Sequence, residues 1–96
     1  MVEDPYKQAK EIRRAVALQY DPQNMHAPHV AASGRGFLAE RIITLAQENR
    51  IPIIEENALV KVLGNLSLGE EVPSELYEAV AAIYAFIMEA DQRKGL

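Results

Sequence analysis

The sequence predicts a single small α/β domain: a mixed or parallel β-sheet of about three to four short strands, flanked by three to four helices. Three observations carry that reading. Apolar residues alternate along Ala15-Val16-Ala17-Leu18-Gln19-Tyr20, a run closed by the turn-forming pair Asp21-Pro22. Apolar stripes recur at helical spacing over residues 37–49 and 76–88. The elements follow the order strand, strand, helix, strand, helix, helix, in which helices cover a sheet.

Residues 1–13 are polar and mixed in charge and read as an N-terminal tail or short helix. The folded unit then spans residues 14–92, and residues 93–96 form a C-terminal tail. In the first strand Val16, Leu18 and Tyr20 share one face, and Ala15, Ala17 and Gln19 the other. The small second face predicts an element packed closely on the alanines. A loop closed by Pro28 leads to a second strand, His29-Val30-Ala31-Ala32-Ser33, broken by Gly34-Arg35-Gly36.

From Phe37 to Asn49 the spacing predicts a helix with Phe37, Leu38, Ile42, Leu45 and Ala46 turned inward. Ile51-Pro52-Ile53-Ile54 is too short for a helix and reads as a buried strand, with Pro52 at a strand start or sheet edge. Asn57 is placed to cap a short helix with an inward stripe of Leu59, Val62, Leu63 and Leu66. Leu68 to Val72 reads as a connector. Ser74 is placed to cap the last helix, whose apolar side is Leu76, Tyr77, Val80, Ile83, Tyr84, Ile87 and Met88.

A length of 96 residues suits one core and no second. Cysteine is absent, which rules out disulfides and thiolate ligands and fits a reducing cytosol. No apolar run approaches the roughly 20 residues that cross a bilayer. Residues 1–50 carry seven basic and six acidic side chains, residues 51–96 three basic and eight acidic. An acidic second half argues against a surface for nucleic-acid phosphates.

The candidate chemistry is thin. Ser33-Gly34-Arg35-Gly36 sits between a strand and a helix, where backbone amides can cradle a phosphate. The plain alternative is a tight turn that needs positive φ, and neither a dinucleotide fingerprint nor a P-loop surrounds it. His26 and His29 are three apart without a third ligand, which reads as two surface histidines and no metal site. Glu55-Glu56 and Glu70-Glu71 are adjacent carboxylates that point apart on a strand, not a convergent acid/base pair. The sequence gives no sign of a catalytic residue or a cofactor.

Ala15-Val16-Ala17-Leu18-Gln19-Tyr20-Asp21, then Met25-x-Ala27-Pro28-x-Val30, then Ala32-x-Gly34 resemble the cytoplasmic domain of the FlhB family of flagellar export-switch proteins and their virulence-system relatives. Ala39-Glu40-Arg41-Ile42 and Glu48-Asn49-Arg50-Ile51-Pro52-Ile53 continue the resemblance. Its most specific stretch is Gly69-Glu70-Glu71-Val72-Pro73-x-Glu75-Leu76-Tyr77-x-Ala79-Val80-Ala81, and it covers residues 15–90. Residues 14–92 are accordingly expected to be an FlhB-like cytoplasmic domain.

In that family the strand matching Ala15–Tyr20 follows an Asn-Pro-Thr-His loop. That loop cleaves itself between Asn and Pro when the Asn side-chain amide attacks its own carbonyl. The matching positions here are Lys10, Glu11, Ile12 and Arg13. Lys10 has no side-chain amide and position 11 is not proline, so the expectation is a chain that neither cleaves itself nor acts as an enzyme. The family's preceding strand and its four-helix membrane domain have no counterpart in these residues. The chain is thus expected to resemble the C-terminal cleavage fragment made separately.

The resemblance implies a protein-binding module beneath the type III export gate that contributes to substrate recognition or specificity switching. It is expected in the cytoplasm or peripherally at the inner face of the membrane. The implied partners are export-apparatus proteins, including the membrane part of full-length FlhB, and export-substrate signal segments. A small hydrophobic pocket of the family receives a short substrate motif, and its positions match Ala27, Pro28, Ala81 and Tyr84. Tyr84 stands where an aliphatic residue is common, and core and loop packing is the plain alternative for all four. A missing first strand implies an open edge beside Ala15–Tyr20 that accepts a strand from another chain, allows weak self-association of a monomer, or is covered by the tail. The competing reading from a different class is a small phosphate- or nucleotide-binding protein using the Gly34–Gly36 turn.

Overall fold

The computed structural model describes the backbone of residues 12–94 and the side chains of residues 12–90. Strands β1 (Arg14–Gln19) and β2 (His29–Arg35) pair antiparallel. Arg14 lies opposite Arg35 and Ala17 opposite Ala32. The register then slips, so that Leu18 faces Val30 and Ala31 is the extra residue of a bulge. Three α-helices follow: α1 (Phe37–Glu48), α2 (Asn57–Leu63) and α3 (Tyr77–Lys94), the last entered through a 3-10 turn at Ser74–Leu76.

The sheet separates two layers. Ala15, Ala17, Ala32 and Gly34 share one face by register, and α1 lies on it. A Cβ added to Gly34 would stand 2.6 Å from Leu38 Cβ, so this face brings helix and strand closer than any side chain at position 34 permits. The close cover expected over the alanines is α1. On the other face Val16 and Leu18 meet the buried cluster of Leu63, Val72 and Val80, joined by Leu59, Leu66, Leu76 and Tyr84. Val30 and Val72 are the largest fully buried side chains.

Local chemistry sets the helix ends. Gly36 takes φ 58° at the entry to α1 and donates its N–H to the Arg13 carbonyl at 2.7 Å. At the other end Arg50 N–H donates to Gln47 O at 3.2 Å and Ile51 N–H to Ala46 O at 2.8 Å. These paired bonds form a Schellman motif, with Arg50 at φ 56° in the position that glycine usually fills. The Asn49 side-chain amide adds a bond to the Leu45 carbonyl at 2.7 Å.

Several sequence expectations are corrected here. The sheet of the described residues has two strands and is antiparallel, not three to four in a mixed or parallel arrangement. The missing member is Ile51-Pro52-Ile53-Ile54, which joins no strand of the described residues and leaves all three isoleucines exposed. Strand character is a property of a pair, and Pro52 removes one donor from the run. Part of the third-strand role falls to residues 69–72, expected to be a plain connector. Val30 N–H donates to Glu70 O at 2.9 Å, Gly69 N–H to Val30 O at 2.8 Å and Val72 N–H to Pro28 O at 2.8 Å.

Helix α1 turns Ala39 fully inward with Ile42, Ile43 and Ala46 half-buried, leaving Phe37, Leu38 and Leu45 exposed. A face two strands wide and lined by alanine admits a small residue closely and has no room for the larger ones. Glu56, not Asn57, precedes the first turn of α2, and Pro73, not Ser74, precedes the 3-10 turn. Neither makes a side-chain cap. Lys10 and Glu11, with most of the expected tail, lie outside the described residues, as do the last two positions.

Candidate functional site

The loop between β1 and β2 is organised by Asp21. Its carboxylate accepts the Asn24 side-chain amide at 2.6 Å and the Gln23 backbone N–H at 3.0 Å, and its carbonyl accepts Met25 N–H at 2.7 Å. The Asn24 amide first, and the Gln23 N–H second, hold the Asp21 carboxyl below its ordinary value by stabilising the anion. This turn delivers Ala27, which is buried, and Pro28, half-buried, to the start of β2.

Pro28 is then fastened to the second half of the chain. Its carbonyl accepts Val72 N–H, and Val72 lies in the cluster against which Tyr84 packs. Tyr84 also meets Tyr20 from the end of β1, with ring centroids 6.0 Å apart. Burial first, and Tyr20 second, push the Tyr84 phenol above its ordinary value. Ala81 sits one helical turn before Tyr84 on α3 and is exposed.

Of the four positions expected to form a pocket, Pro28 and Tyr84 are joined through Val72, Ala27 is interior to the loop, and Ala81 is at the surface. Residues Tyr20 and Val72 belong to the same constellation and were not singled out from sequence. Tyr20 carries no local signal of its distant partner. Val72 sits in a stretch whose pairing depends on a strand far away in the chain. Of the cleavage-loop positions, Ile12 and Arg13 are described. Ile12 is exposed near Gly36, and Arg13 extends the β1–β2 ladder through its carbonyl.

Gly34 and Gly36 have a structural account in close helix packing and positive φ, and the Gly36 amide is engaged by Arg13. Nothing at this turn favours a phosphate. His29 opens β2 opposite Gln19, half-buried, with its Nδ1 buried and unbonded among the described residues, while His26 is exposed. Among the described residues no three His, Cys, Asp or Glu side chains gather as metal ligands, and no helix is long and apolar enough to cross a membrane.

The sequence profile of the FlhB HrpN YscU SpaS family matches residues 12–87. The uncharacterized protein YlqH of Bacillus subtilis is 42% identical over 86 residues, covering 90% of this chain and 92% of YlqH. The flagellar biosynthetic protein FlhB of Salmonella typhimurium is 40% identical over 76 residues, covering 78% of this chain. The chain spans only 20% of that FlhB. The crystal structure of the cytoplasmic domain of FlhB from Shewanella putrefaciens superposes with a TM-score of 0.80 at 30% identity, covering 84% of this chain and 64% of that one.

Proposed function

The chain belongs to the FlhB HrpN YscU SpaS family, and from that premise we propose that it is a non-enzymatic protein-binding module of the flagellar or a related type III protein export apparatus, contributing to recognition of export substrates or to specificity switching. The observation that carries this reading is the Pro28–Val72–Tyr84 linkage. It fastens the β1–β2 loop to a helix far apart in sequence, through a buried valine. Small and apolar residues dominate there, which suits capture of a short apolar motif and offers no convergent titratable pair for catalysis. Lys10–Arg13 stand where relatives carry the self-cleaving loop, so the chain performs no cleavage of its own.

The partners we propose are export-substrate signal segments at Ala27, Pro28, Ala81 and Tyr84, and export-apparatus proteins, among them the membrane part of full-length FlhB. The module works in the cytoplasm, peripherally at the export gate. Among the described residues β1 is an edge strand. The Arg13 carbonyl faces β2, so by alternation the backbone groups of Arg14 and Val16 point to the open side. That edge suits an added strand from FlhB.

A pull-down with an FlhB truncated before its own C-terminal fragment tests the partnership. Retention of this chain, lost on Val16→Pro, is the expected result. No retention overturns the FlhB partnership and leaves substrate binding to be judged by its own experiment.

A further inference from the structure

An open groove of about 610 Å³ runs between α2 and α3. Its walls are apolar: Ile54, Leu59 and Val62 on one side, Ala82, Ile83 and Phe86 on the other. At 3.6 residues per turn, Ala82, Ile83 and Phe86 lie on one flank of the buried Val80, and Ala81 and Tyr84 on the opposite flank. The groove is therefore a separate surface from the one proposed for substrate segments. Phe86 is 62% exposed and Val62 47%, so these side chains offer apolar area to a partner instead of closing on each other.

The charges around it have one dominant sign. Glu56 lines the groove. Glu78 stands on α3 one turn from Ala82, on the rim, and Glu75 lies one turn before Ala79. Lys61 on α2 is the single basic side chain between residues 51 and 90. A second copy of this chain would bring acidic rim against acidic rim, which disfavours self-pairing.

We propose that the α2–α3 groove docks an amphipathic helix from a partner protein, with apolar anchors at i, i+3 or i+4, and i+7 and with Lys or Arg flanking them. The anchors replace water against Val62, Ile83 and Phe86, and the flanking cations meet Glu56 and Glu78. The arrangement is a third helix completing a helical layer that two helices leave open.

The test uses the full isotope-labelled chain and two synthetic helical peptides, one with leucine anchors among lysines and one with the same anchors among glutamates. The lysine peptide is expected to move the amide resonances of Leu59, Val62, Ala82, Ile83 and Phe86. Phe86→Ser and Val62→Ser, both at exposed positions, are expected to weaken it roughly tenfold each. Glu78→Lys, which removes no apolar contact, is expected to weaken it several-fold and to flatten its salt dependence. Equal binding of the glutamate peptide, shifts located elsewhere, or binding unaffected by all three substitutions overturns the proposal. So does a concentration-dependent dimer, measured by light scattering, that protects the same residues. None of these outcomes depends on whether Ala27 and Tyr84 bind export substrates.

Discussion

The rings of Tyr20 and Tyr84 meet with centroids 6.0 Å apart and planes inclined by 49°. Tyr20 follows β1 and Tyr84 sits inside α3, so the pair ties the start of the fold to its last helix. The tilted geometry is one that aromatic pairs favour because ring edges and faces carry opposite partial charge. A double-mutant cycle through Tyr20→Ala and Tyr84→Ala in urea is expected to give a coupling of about 0.5–1.5 kcal/mol. Additive losses would mean that the two rings share a neighbourhood without interacting.

The same pair predicts an alkaline weakening of the fold. Burial first, then Tyr20, raises the Tyr84 phenol above its ordinary value. A folded-state value above the unfolded one keeps its full contribution below the unfolded value of about 10. That contribution is lost as pH rises through the folded value. An ultraviolet phenolate titration of Tyr20→Phe is expected to show Tyr84 titrating lower than in the parent, yet still above free tyrosine, since burial is the larger cause. An unchanged titration would remove Tyr20 from the account.

Gly34 is a packing requirement. A methyl at this position meets Leu38 Cβ at 2.6 Å and the Leu38 backbone carbonyl carbon at 3.1 Å, so α1 itself must shift. Gly34→Ala is expected to cost about 1–3 kcal/mol in denaturant unfolding, the usual range for overpacking. A loss confined to a few tenths would show that α1 rides freely on the sheet.

Arg50 gives the opposite sign. It holds φ 56° at the end of α1, where an L side chain crowds its own carbonyl. Arg50→Gly is expected to raise stability by about 0.5–1 kcal/mol, with relief of strain exceeding the added freedom of the unfolded chain. A lower melting temperature would indicate that the Arg50 side chain makes a stabilising contact of its own.

These positions show what was legible before the structure. The first two strands could be read because alternation and turn residues are local signals, and the alanine face announced a close neighbour. Ile51–Ile54 could not, because four apolar residues with a proline become a strand only beside an open partner, and the adjacent pairing on β2 goes to Gly69–Val72. The inward side of α1 was misjudged because Ala39 outcompetes leucine and phenylalanine where the facing surface is itself alanine and glycine. The family was legible from the order of its blocks. The role of Tyr20 was not, since its partner is reached only through the tertiary fold.

The central proposal is that this module captures export-substrate segments at the positions Ala27, Pro28, Ala81 and Tyr84. The most direct test is a two-dimensional NMR titration of the labelled chain with a signal segment of an export substrate from the same genome. The account predicts saturable shifts at the amides of Ala27, Ala81 and Tyr84, abolished by Ala81→Asp at an exposed position. Absence of any shift at saturating peptide, or shifts that persist in Ala81→Asp, would contradict it.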